Sequence, residues 1–201
     1  MKILLVTAAA AVLLVSGSRA APARRQEERA RLERIEQTLK ADVPRVLCLS
    51  PRLATGGQPS LQAFGKLAGH GFRSVLNLRA ASEGVDLEKE RAAVEAAGMR
   101  YLHVPVAGGA PRAEQADEFI RLVGDEANHP MFVHCATANR VGALMLVYRV
   151  LEHGWSEEAA LEEAERIGLR SAELKRFALE HIARRKAEGG RGGVVPPRGT
   201  L

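Results

Sequence analysis

Cys135 and Arg140 bracket four residues, Ala136-Thr137-Ala138-Asn139. Before them runs an apolar stretch, Met131-Phe132-Val133-His134, bounded by Pro130; after them Val141, Ala143, Leu144, Val147, Tyr148 and Leu151 recur at helical spacing. The pattern predicts a buried strand, a tight loop and a helix. In an open α/β sheet the ligand crevice lies beyond the carboxyl ends of the strands, where a helix start offers free N–H groups and the positive end of its dipole. A loop there can direct its amides at an anion while the planar Arg140 guanidinium grips two of the anion's oxygens. The same field favours thiolate over thiol, since a cysteine near pKa ~8.5 falls to roughly 3.5–7.5 at helix N-termini or beside cations. The chemistry expected is therefore anion binding by residues 136–139 with Cys135 as nucleophile.

The elements that must position this loop repeat one grammar. A charged helix is expected over about residues 24–40, then a strand or hairpin from Val43 to Leu53, ended by Gly56-Gly57-Gln58-Pro59. Ser60 suits the N-cap of a helix carrying Leu61, Phe64, Leu67 and Ala68, closed by Gly69 or Gly71 before the strand Ser74 to Leu78. A helix from Leu87 to Ala97 stops at Gly98, Tyr101 to Val104 forms the next strand, and a helix with Ala116, Phe119, Ile120 and Val123 precedes Pro130. Ser156 caps a further helix, and a last one spans about residues 172–186. Strands alternating with helices at this spacing predict an α/β fold with a mainly parallel central sheet of about four to five strands, flanked by helices on both faces.

The 201 residues suit one domain. Lys2, the apolar run from Ile3 to Val15 and Ser18-Arg19-Ala20 match a signal peptide cleaved before Ala21, too short to span a membrane. The organisation expected is a signal peptide (1–20), a charged helical segment (21–42), a catalytic domain (43–187) and a disordered tail (188–201). A periplasmic or secreted bacterial protein, without stable membrane insertion, would follow. Losing Lys2 and Arg19 lowers the formal charge from +5 to +3, and the arginines from Arg24 to Arg34 are interleaved with glutamates. With aromatics at 4%, nucleic-acid binding is not expected. The six histidines are scattered and no helix pairs ligands at i, i+4, so no metal and no cofactor is expected. Cys48 and Cys135, the only cysteines, could pair in an oxidising compartment.

Four motifs in order, Thr55-Gly56-Gly57-Gln58-Pro59-Ser60, Val75-Leu76-Asn77-Leu78-Arg79, Tyr101-Leu102-His103-Val104-Pro105-Val106 and Phe132 to Arg140, resemble those of the beta-lactamase-hydrolase-like phosphatase family, a branch similar to dual-specificity and protein tyrosine phosphatases. The resemblance covers about residues 44–170. It implies a phosphatase-like fold in which Cys135 attacks phosphorus to form a thiophosphate intermediate, while Arg140 and the loop amides stabilise the equatorial oxygens. The substrate would be a phosphorylated protein or a small phosphate ester. His134, Arg79, Asn77 and Gln58 are expected to support the loop.

Four departures qualify it. Protein tyrosine phosphatases place five residues between Cys and Arg; here there are four, as in many rhodaneses, which keeps a persulfide-carrying sulfurtransferase open. Ala138 stands where glycine is usual, and Val141 supplies no hydroxyl after the arginine. The segment Ala107 to Pro111 carries no acid, leaving Glu83, Asp86, Glu114 and Asp117 as the choices for a general acid. A catalytically weak module that binds an anion or a partner is the third alternative.

Overall fold

The apolar runs settle into five short strands in the computed structural model, which describes residues 16–108 and 111–189. β1 (Leu47–Ser50) and β2 (Leu53–Gly56) form an antiparallel hairpin. β2 then pairs in parallel with β5 (Met131–His134), β5 with β3 (Ser74–Asn77), and β3 with β4 (Arg100–His103), giving the order β1-β2-β5-β3-β4. The expected α/β fold, a mainly parallel sheet covered on both faces, is the fold observed.

Strand alternation divides the core. Met131 and Val133 of central β5 face α4 (Ala113–Gly124) and α5 (Asn139–His153), among Phe119, Val123, Val141, Leu144 and Met145. Phe132 faces α1 (Ser16–Leu39), α2 (Leu61–Gly69) and α3 (Leu87–Ala96), among Leu39, Phe64, Leu67 and Val94. α6 (Glu157–Ile167) and α7 (Ala172–Gly189) wrap the outer side of α5, so α5 is buried continuously from Arg140 to Val150. Gly142 permits this: a Cβ there would lie 2.6 Å from the Ala164 carbonyl oxygen.

Several expectations change. The charged N-terminal segment is not an appendage along its whole length, because Ile35 and Leu39 are buried in the core and Glu36 accepts a 2.7 Å hydrogen bond from the Cys48 N–H. Ser60 occupies the N-cap of α2 without capping it; its hydroxyl bonds Asp42 instead, and Leu61 is 42% exposed. The Ile3 to Val15 run and the tail from residue 190 lie outside the described residues, while α1 continues unbroken through Ser18-Arg19-Ala20 into Ala21. No helix among the described residues is long and apolar enough to cross a membrane.

A bond between the cysteines is excluded. Cys48 pairs with Ala54, which pairs with Phe132, so it lies two strand spacings, roughly 10 Å, from β5, against a limit of about 7 Å between bridged Cα atoms. The two side chains also belong to core clusters on opposite faces of the sheet, and both thiols are free.

Candidate active site

Strand register assembles the site. The pairings Gly56↔His134, Asn77↔His134 and Asn77↔His103 align the carboxyl ends of four strands, so the residues just beyond them converge on one crevice. Cys135 leaves β5 on the α5 face and is fully buried beneath a loop whose rim is Thr137, which is exposed. Gly57 bridges Thr137, and the Gln58 N–H donates to the Ala136 carbonyl at 3.1 Å. The first intrahelical bond of α5 runs from the Gly142 N–H to the Ala138 carbonyl, so the amides of Asn139, Arg140 and Val141 precede the ladder and remain available at the helix start.

Ala138 caps α5 at φ 63°, ψ 2°, a left-handed conformation that costs a residue bearing a Cβ roughly 1–2 kcal/mol. The surroundings hold it there. Gly168 comes so close that a Cβ on it would lie 3.1 Å from both the Ala138 methyl and the Thr137 carbonyl oxygen. Asn139 Oδ1 accepts from the Arg170 and Ser171 N–H groups at 2.9 and 3.2 Å, tying the segment after α6 to the loop.

Arg140 is 5% exposed and turns its Nη1 and Nη2 toward Glu83, at 2.6 Å to Oε1 and 2.9 Å to Oε2; Nη1 also donates to the Val106 carbonyl at 2.7 Å. Glu83 ends a 3₁₀ turn, Ala81–Glu83, and also accepts from the Ala80 N–H and Arg79 Nε. The Arg140 hydrogen bond, against the opposing effect of burial, holds the Glu83 carboxyl down to about 2. Burial disfavours the Arg140 cation, but Glu83 and the nearby Cys135 sulfur together raise its pKa. Nη1 and Nη2 are thus bonded to Glu83, whereas Nε makes no hydrogen bond among the described residues.

These placements redistribute the acids. Glu83 is ionised at neutral pH and engaged by two arginines, so it orients Arg140 and has no proton to give. Asp86 is an exposed N-cap that accepts from the Lys89 N–H. Glu114 is exposed in the first turn of α4, 3.9 Å from Arg112. Asp117 turns toward α7, 3.3 Å from both His181 and Arg185. Glu83, Asp86 and Asp117 are thus engaged by other groups, while Glu114 is exposed with no ion-pair partner nearer than 3.9 Å.

The supporting residues meet around one that sequence reasoning overlooked. Glu90, on α3 and 4% exposed, accepts at Oε1 from Asn77 Nδ2 (2.6 Å) and His134 Nε2 (3.1 Å), and at Oε2 from Gln58 Nε2 (2.7 Å). Gln58 Oε1 in turn accepts from Arg79 Nη1 at 2.9 Å. Burial would push the Glu90 carboxyl up; His134, Gln58 and Asn77 outweigh it and hold it below the usual carboxylate range. Glu90 shares a helix face with Val94, both buried, so a carboxylate at an apolar position of α3 was the signal that could have found it. His103 Nε2 donates to the Arg79 carbonyl oxygen, 2.7 Å away, outside this cluster. No group of His, Cys, Asp and Glu suited to a metal occurs among the described residues.

Comparison with known proteins supplies the family and the fold. A family model described as "DSP-PTPase phosphatase fused to NAD+ Kinase" matches residues 27–182. A beta-lactamase hydrolase-like protein from Agrobacterium fabrum is 34% identical over 110 residues, covering 52% of this chain and 25% of that protein. The dual specificity protein phosphatase TpbA from Pseudomonas aeruginosa is 26% identical over 143 residues, covering 70% of this chain and 62% of that one. The chain thus spans about a quarter of the first relative's length and under two thirds of the second's. Among solved structures, P. aeruginosa TpbA superposes with a TM-score of 0.56 at 24% identity (70% of this chain, 84% of that one), and the catalytic domain of the PP-IP phosphatase SIW14 from S. cerevisiae with 0.59 at 19% (75% and 94%). A Cys-to-Ser form of TpbA was solved with phosphotyrosine.

Proposed function

Since the chain belongs to the dual-specificity-type phosphatase family whose model covers residues 27–182, we propose that it is a cysteine-dependent phosphatase acting on a phosphorylated protein or a small phosphate ester. The observation that carries the reading is the loop itself: Cys135 at the carboxyl end of β5, the free amides at the start of α5, and Arg140 oriented by Glu83. Cys135 Sγ forms a bond to phosphorus as the P–O bond breaks, its electron pair departing with the leaving oxygen. The amides and the free edge of Arg140 hold the equatorial oxygens through that transfer. Water then attacks the thiophosphate, releasing phosphate and restoring the thiolate.

With Glu83, Asp86 and Asp117 engaged by other groups and Glu114 exposed on α4, the reading assigns none of the four to protonate the leaving oxygen. The reading therefore favours leaving groups that depart as weak bases, so aryl phosphates should turn over faster than alkyl phosphates. The phosphotyrosine bound by TpbA is an aryl phosphate of that kind. We also place the mature protein outside the cytoplasm, on the strength of the Ile3 to Val15 run and Ser18-Arg19-Ala20; N-terminal sequencing of the exported form should begin at Ala21.

The decisive assay follows phosphate release from an aryl phosphate by wild type, Cys135→Ser and Arg140→Ala, beside thiocyanate formation from thiosulfate and cyanide. Phosphate release lost in both variants is the expected result. Thiocyanate in its place would transfer the loop to sulfur chemistry, and neither product would leave an anion-binding module.

A further inference from the structure

We infer that Glu90 and Gln58 are positioning residues whose paired polarity fixes the relative placement of Cys135 and Arg140. The hydrogen bonds described above close a circuit around the loop. His134, which precedes Cys135, bonds Glu90; Glu90 accepts from Gln58; Gln58 accepts from Arg79; Arg79 donates to Glu83; and Glu83 holds Arg140. The two ends of the catalytic loop are thus joined a second time, through side chains alone.

The circuit runs in one direction only. An arginine can only donate and a carboxylate only accept, so Glu90 and Glu83 are obligate acceptors and Arg79 an obligate donor. Gln58 lies between an acceptor and a donor, and it satisfies both only by presenting its NH₂ to Glu90 and its carbonyl to Arg79. Glu90→Gln sets NH₂ against NH₂. If Gln58 then flips, its NH₂ meets Arg79, and the conflict moves one step closer to Glu83 and Arg140. Gln58→Glu alone puts two carboxylates against each other. With both exchanged, the amide oxygen introduced on α3 still accepts from Asn77 and His134, and its NH₂ donates to the carboxylate introduced after β2. That carboxylate accepts from Arg79 as the Gln58 carbonyl did. Every donor again faces an acceptor, with side-chain volume conserved.

The test compares wild type, Glu90→Gln, Gln58→Glu and the double exchange. Its kinetic arm rests on the phosphatase reading; its second arm, alkylation of Cys135 by iodoacetamide with and without inorganic phosphate, does not. Each single variant is expected to lower kcat on an aryl phosphate on the order of tenfold to a hundredfold, as small misplacements of reacting groups do, and the double exchange should recover to within about threefold of wild type. The alkylation rate and its protection by phosphate should follow the same pattern of loss and rescue.

Losses that multiply in the double variant, or single variants indistinguishable from wild type in both arms, would overturn the inference. A wild type that releases no phosphate yet shows loss and rescue in alkylation sinks the phosphatase reading and leaves this one standing. Should Glu90→Gln fail to fold, Gln58→Leu breaks the same circuit at a part-exposed position, and wild-type behaviour in both arms there would refute the inference.

Discussion

The two cysteines, one within a strand and one just past the end of another strand of the same sheet, differ in almost everything that governs a thiol. Cys48 lies within β1, in the core cluster beneath α1, where burial and the charge of Glu36 push its thiol up to about 12. Cys135 lies one residue past the end of β5, more deeply buried than Cys48, but beneath the start of α5 and beside Arg140. Burial alone therefore does not distinguish the two settings. What separates them is which end of a strand the sulfur occupies, and whether amides and a guanidinium or an acid stand over it.

Exchanging the sulfurs one at a time should break the comparison most widely. Cys135→Ser is expected to lower phosphate release about a thousandfold or more, whereas Cys48→Ala, distant from the loop, should leave kcat/KM within about twofold. Iodoacetamide at neutral pH should label Cys135 alone, read by mass spectrometry of the intact fold. Labelling of Cys48 before unfolding would show that its environment is not the one described.

Arg140→Lys should cost about a hundredfold in kcat/KM, because an ammonium cannot bond Glu83 in two places and an anion in two more. Near-normal activity in that variant would reduce Arg140 to a point charge. Gly168→Ala comes next: the added methyl would crowd Ala138 and Thr137, so a loss of about 1–3 kcal/mol in urea unfolding is expected, with kcat falling as the loop shifts. An unchanged midpoint would mean that the Ala138 conformation needs no room from Gly168.

The smallest effect is in acid. A carboxyl lowered in the folded state to about 2, from about 4.3 when unfolded, contributes stability that is complete above the unfolded value and lost as pH falls through the folded one. Between about pH 4.5 and 2 the wild type should therefore lose stability more steeply than Glu83→Gln, as followed by urea midpoints. Parallel curves would contradict the Glu83–Arg140 ion pair.

Much of the fold was legible because its signals are local. The apolar run Met131 to His134 and the helical spacing after Val141 lie within a few residues of one another, and β5 and α5 form where those patterns fall. Ser156 caps α6 through its hydroxyl, as its type suggests; Ser60 does not, because Asp42, 18 residues earlier, competes for the same hydroxyl. Local preference was overridden there by a partner that only folding supplies. The same applies to Glu83, which stood in the sequence beside three other acids with nothing to distinguish its task.

By itself, then, the sequence determined the succession of strands and helices and the loop from Cys135 to Arg140, because periodicity, turn residues and the join of strand to helix act over short stretches of chain. Only the tertiary structure decided which side chains serve that loop. Glu83 reaches Arg140 across 57 residues and Glu90 reaches His134 across 44. Those meetings depend on β5 lying between β2 and β3 in a register that aligns Gly56, His134 and Asn77. Hydrogen bonds between side chains need ångström-scale placement, and strand order and register supply it.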